Sequence, residues 1–74
     1  KLSYKEQKEY DSLELEINEL EVEKSGIEEK MAEPDLPYEE IEKLSLRMGE
    51  VIDLIDDKTF RWMELDELKQ ELEK

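Results

Sequence analysis

The chain has 74 residues, 24 acidic and 11 basic, for a net charge of -13, with 47% of residues charged and 36% apolar. Cysteine and histidine are both absent, which excludes thiolate nucleophiles, disulfides, zinc centres of the usual ligand sets and imidazole acid–base catalysis. One small domain is the most this length can hold, so a helical interaction module is expected rather than an enzyme with an enclosed pocket. High charge and low hydropathy also mark disordered chains, and periodicity has to separate the two readings.

Ser3 and Glu6 form an S-x-x-E capping box, which starts a first helix beside Ser3. Tyr10, Leu13, Ile17, Leu20, Lys24, Ile27 and Met31 then recur at alternating intervals of 3 and 4, the seam of a helix packed on a partner. Pro34 and Pro37 interrupt that pattern, because proline lacks an amide donor and drives its preceding residue out of the helical region. Pro37 suits the first turn of the next helix, with Asp35 or Leu36 as its cap. A second seam runs through Ile41, Leu44, Met48, Val51, Ile55, Lys58, Trp62, Leu65, Lys69 and Leu72.

The resulting division is helix 1 over about residues 4–32, a turn over 33–37 and helix 2 over about 38–73. Such helices are about 43 and 55 Å long at ~1.5 Å per residue, and their short connection makes them antiparallel. The expected fold is all-α, an antiparallel two-helix coiled-coil hairpin. Two registers bring seam layers together, with residue numbers adding to 68 or to 75, and the seams alone fit both.

Residues 1–10 and 58–74, which meet at the open end, carry seven basic and seven acidic side chains, whereas residues 11–57 carry four and seventeen. The acidic part repels nucleic acid. Any phosphate contact therefore falls to Lys1, Lys5, Lys8, Arg61, Lys69 and Lys74, with Tyr4 as an aromatic neighbour; the alternative is a solvated surface. Lys24 and Lys58 in the seams read as register-setting residues whose stems reach to solvent, more than as ligands for a partner's carboxylates. Tyr10 and Trp62 read as core rather than as a stacking platform for bases, and Phe60 falls outside the seam.

Leu15 and Val22 lie seven apart, opposite the helix 1 seam, and form a candidate partner face, while Leu46, Ile52, Leu54 and Leu68 flank the helix 2 seam and are expected to widen the buried stripe. Asp53, Asp56 and Asp57 share one helix face but have no loop to complete a coordination sphere, so no metal is expected. Gly26 and Gly49 have no phosphate-loop surroundings. No segment approaches the roughly 20 apolar residues of a membrane span and no signal peptide is recognisable, so a cytoplasmic location without membrane contact is expected. A chain opening on Lys1 without Met reads as an excerpt of something larger.

The opening Lys1-Leu2-Ser3-Tyr4-Lys5-Glu6-Gln7, the Pro34-Asp35-Leu36 turn and Arg61-Trp62 followed by Leu65 resemble the C-terminal domain of ABC-F proteins, most of all the Uup-type branch. The resemblance spans essentially the whole chain. It implies an antiparallel coiled-coil hairpin, non-catalytic in itself, attached to a parent ATPase whose two cassettes would hold ATP and Mg; no cofactor belongs to this domain. It further implies contact with nucleic acid, DNA or ribosomal RNA. The alternative is a protein-interaction arm or spacer that docks on the parent cassettes or on a ribosomal protein.

Overall fold

The structure, a computed structural model, describes residues 1–73. Helix α1 spans Tyr4–Met31 and helix α2 spans Tyr38–Leu72. They pack side by side as an antiparallel hairpin measuring 54 × 16 × 15 Å, with no strand among the described residues.

Each helix end follows from its local sequence. At the start of α1, the Glu6 amide donates to Ser3 Oγ at 3.2 Å and the Ser3 amide donates to Glu6 Oε1 at 3.0 Å, so the capping box closes in both directions. Ala32 ends the helix, its amide shared between the carbonyls of Glu28 and Glu29 at 3.2 Å. Pro37 differs from its expected place: it is itself the N-cap of α2, with φ -61° and ψ 148°, and neither Asp35 nor Leu36 caps. A cap residue needs extended ψ and a free carbonyl but no amide, which proline satisfies; its carbonyl accepts from Ile41 at 3.1 Å. Without a side-chain cap, the first turn is favoured instead by Glu39 and Glu40 beside the positive end of the helix dipole.

The seam is narrow. Tyr10, Leu13, Ile27, Val51 and Leu65 are buried, Val51 and Leu65 almost completely. Tyr10, Leu13 and Leu65 form the core of the open end, with Leu2, Ile17 and Trp62 partly buried against it. Contacts across the seam select the register. Tyr10 with Asp66 and Glu14 with Trp62 have numbers adding to 76, Glu16 with Lys58 to 74, and Glu9 with Arg61 and Glu23 with Arg47 to 70. These sums run from 70 to 76 and average about 73, nearer to 75 than to 68, and none falls to 68.

That register explains which seam residues stay exposed. Ile41 and Leu72 lie 38% and 46% exposed because the layers adding to 75 put them level with Pro34 in the turn and Ser3 at the cap, where α1 has no apolar seam residue. The expected widening of the helix 2 stripe fails for Leu46, Ile52 and Leu54, all exposed, and holds only for Leu68, which is partly buried. Two helices cover only a narrow arc of each other, so flanking residues that a third helix would bury remain at the surface. Phe60 is exposed for the same reason.

Leu65→Ala should cost about 2–5 kcal/mol of unfolding free energy, whereas Leu46→Ala should stay within about 0.5 kcal/mol. Gly49 sits mid-helix with open space around it, so Gly49→Ala should stabilise by about 1 kcal/mol. Urea unfolding followed by circular dichroism checks all three.

Candidate functional site

The two flanks of the seam differ sharply in charge. Glu9, Glu16 and Glu23 repeat every seven residues along one flank of α1, and each meets a basic residue of α2. Arg61 donates to Glu9 through Nε and Nη2 at 2.9 and 3.0 Å, and Arg47 donates to Glu23 through the same pair of nitrogens at 2.6 and 2.9 Å. Lys58 reaches Glu16 at 2.9 Å. Arg61 also lies 3.5 Å from Glu64, one turn along its own helix. Bidentate geometry fixes a guanidinium against a carboxylate in both angle and distance. The hydrogen bond from Arg61 lowers the Glu9 carboxyl below its ordinary value, and that from Arg47 does the same for Glu23.

The opposite flank carries Glu14, Glu21 and Glu28 on α1, again seven apart, and among the described residues none of them forms an ion pair. Here carboxylates accept from aromatic donors. The Tyr10 hydroxyl donates to Asp66 at 2.8 Å and the Trp62 indole donates to Glu14 at 3.3 Å. The two rings stack with centroids 5.4 Å apart and planes inclined by 20°, and Lys69 Nζ lies 4.9 Å from the Tyr10 centroid on a cation–π contact. Trp62 is therefore only partly buried, its ring shared between the core and this flank. Beside it runs an open groove lined by Glu14, Ile17, Asn18, Thr59 and Trp62.

The cations of the open end separate into two kinds. Arg61 is neutralised by Glu9 and Glu64. Lys69 stands in the last turn of α2, where a cation complements the helix dipole, and it is also engaged with Tyr10. Lys1, Lys5 and Lys8 are exposed and, among the described residues, in no ion pair. Lys5 and Lys8 share an outer face of the first turns of α1, and Lys1, which precedes the helix, lies beside the exposed Tyr4. Lys1, Tyr4 and Lys69 line a shallow depression with Glu73. Lys74 lies outside the described residues. Leu15 and Val22 are 61% and 73% exposed on the outer face of α1, further from the open end.

Of the ladder and the groove, Lys58, Arg61, Ile17 and Trp62 are legible in the sequence only as seam or phosphate-contact residues, whereas Glu9, Glu16, Glu23, Arg47, Glu14, Asn18 and Thr59 are missed. The seven-residue repeat of Glu9, Glu16 and Glu23 was a visible signal for the first. The groove depends on the register, which places Thr59 and Trp62 beside Ile17 and Asn18.

A family model described as the ABC transporter C-terminal domain matches residues 1–67. No curated protein and no solved structure matches the chain.

The Tyr10 hydroxyl is pushed up to about 12, chiefly by its hydrogen bond to Asp66, then by burial and by the nearby charges of Asp66 and Glu14. An unfolded tyrosine ionises near 10. Between those values the unfolded chain releases a proton that the folded chain keeps, so this contribution to stability is complete below pH 10 and is lost as pH rises through 12. Ultraviolet titration should show one of the three tyrosines ionising well after the others. The Tyr10→Phe variant should lose that late step, together with the corresponding part of the alkaline fall in stability.

Proposed function

The chain belongs to the family of ABC transporter C-terminal domains, and on that premise we propose that it is the non-catalytic hairpin of an ABC-F-type ATPase, touching nucleic acid with its open end. The observation that carries this reading is the group Lys1, Lys5 and Lys8 at and just before the start of α1, exposed and unpaired among the described residues, with the exposed Tyr4 among them. A cation in or just before the first turn of a helix faces the positive end of the dipole, so Lys1 and Lys5 gain nothing structural from their place. Local rules broken without local compensation mark residues kept for another purpose. Arg61 and Lys69, by contrast, are already engaged within the hairpin, and their share of any phosphate contact is smaller.

The mechanism is positional. Phosphate oxygens replace solvent around three flexible ammonium groups, and Tyr4 offers a ring on which an unpaired base can stack. The acidic arm points away. DNA and ribosomal RNA present the same phosphate chemistry at this face, and an exposed single-stranded base favours Tyr4 stacking in either. ATP binding and hydrolysis belong to the parent's cassettes.

Replacing Lys1, Lys5 and Lys8 together by Ala should weaken binding to a short DNA duplex and to ribosomal RNA hairpins. The slope of log affinity against log salt should fall by close to 0.9 per lost duplex contact. Arg61→Ala should have less effect than any one of the lysines. Unchanged affinity and slope in the triple variant, measured by fluorescence anisotropy, would remove the nucleic-acid reading.

A second reading, a protein-interaction arm, rests on the exposure of Leu15 and Val22. On that reading a Leu15→Glu, Val22→Glu variant that keeps its helicity loses binding to the parent cassettes or to a ribosomal protein, whereas on the nucleic-acid reading it binds phosphate ligands as before.

A further inference from the structure

The flank opposite the ion-pair ladder carries a strip of α2 in which Ile52, Thr59 and Asp66 alternate with Asp56, Met63 and Gln70 at helical spacing. Ile52 is 40% and Met63 58% exposed, and the open groove beside Trp62 lies along the same strip. On the ladder side, cations of α2 close the seam against carboxylates of α1. Here α1 contributes Glu14, Glu21 and Glu28, and α2 contributes Asp56 and Asp66, with no cross-helix ion pair among the described residues. The result is a strip with exposed Ile52 and Met63 set among Asp56, Thr59, Asp66 and Gln70, facing the acidic row of α1, on the side where two helices leave room for a third.

We propose that this flank docks a basic amphipathic helix of another polypeptide, seated over Ile52, Thr59, Trp62 and Met63 and completing a three-helix bundle. Charge complementarity selects the occupant. A second copy would set acidic row against acidic row in a chain of net charge -13, and nucleic acid meets the same repulsion. A helix with a leucine stripe edged by lysines reverses both terms: its apolar side chains cover Ile52 and Met63, and its cations meet Glu14, Glu21 and Asp66. Helix-in-groove recognition uses this arrangement of anchors at three- and four-residue spacing. The surface is separate from the lysine row of the open end and does not depend on its role.

The test uses the 74-residue chain and a tryptophan-free synthetic peptide of Leu and Lys with its leucines at heptad spacing. Trp62 is the sole tryptophan, so its emission reports on the site directly. Expected are a saturable one-to-one blue shift and NMR shifts centred on Ile52, Thr59 and Met63. The Ile52→Glu, Met63→Glu variant should bind about tenfold or more weakly, a change of ~1.4 kcal/mol or more, although it is more acidic. The Leu15→Glu, Val22→Glu variant and the Lys1, Lys5, Lys8 alanine variant should bind within about twofold of the parent chain or tighter, since each adds negative charge or removes positive charge.

Several outcomes would overturn the proposal. Equal binding by a permuted peptide of the same composition makes the attraction one of net charge alone. Tighter or unchanged binding by the Ile52→Glu, Met63→Glu variant means the same. Shifts centred on Leu15 and Val22 place the partner on the other face. Sedimentation of the free chain as a dimer that this variant dissociates gives the flank to a second copy.

Discussion

Packing one helix along another buries a single stripe of each, and in a body 16 × 15 Å across there is no second layer to add to it. Everything else in the domain depends on how that one seam is aligned. Apolar layers recur every seven residues on both helices, so sliding one helix by a heptad restores most of the layers and costs little in buried area. Groups that repeat less regularly must therefore carry the choice. A slide to the other register would set Glu9 against Leu54, Glu23 against Glu40 and Tyr10 against Thr59, in place of Arg61, Arg47 and Asp66. Arg47 would meet Glu16 instead of Glu23, so the net loss is the Arg61–Glu9 bidentate bond and the Tyr10–Asp66 hydrogen bond, with a Glu23–Glu40 like-charge pair created. Each exposed ion pair contributes modestly to stability, but the alternative is penalised at several points together, and alignment is the outcome.

The aromatic pair at the open end adds a second lock of a different kind. Tyr10 and Trp62 stack across the seam while each gives its polar hydrogen to a carboxylate of the opposite helix. Large rings with a polar edge are suited to a thin structure, because one side can be dry and the other wet. Gln70 donates to the second oxygen of Asp66 at 2.8 Å, so the acceptor of the Tyr10 hydroxyl is itself held in place. The open end is thereby ordered where α2 runs past the cap of α1, and the lysine row stands on a rigid support.

Elements governed by local rules were legible in the sequence. The Ser3–Glu6 cap, the two seams and the Pro-bearing turn each follow from a few neighbouring residues, and the hairpin follows from the short turn. What escaped depended on relations between the helices. The seam layers agree in two registers, so they cannot choose between them, and the Glu9–Glu16–Glu23 repeat gains meaning only when Arg61, Lys58 and Arg47 are known to stand opposite. Leu46, Ile52 and Leu54 read as buried by analogy with thicker bundles, but a lone partner helix covers too narrow an arc. At the open end, Arg61 and Lys69 looked equivalent to Lys1, Lys5 and Lys8 until their carboxylate and aromatic partners were in place.

The distribution of charge along and around the hairpin distinguishes its two proposed surfaces. Electrostatic influence fades over ~8 Å at physiological ionic strength, about five residues of helix at ~1.5 Å per residue. The open end balances at seven basic and seven acidic side chains. Around Lys1, Lys5 and Lys8 the field is therefore set by near neighbours such as Glu6 and Glu73, and only weakly by the acidic arm that brings the whole chain to -13. By the same distance argument, the flank around Thr59 feels Glu14, Asp56 and Asp66 far more than the terminal lysines. On the two proposals the tip would take a polyanion and the flank a cationic helix, each where the charges nearest to it suit it best. Net charge alone would describe a surface hostile to nucleic acid. Local charge, read with the screening length, separates the two proposed surfaces, and the ladder between the helices keeps both in fixed relation.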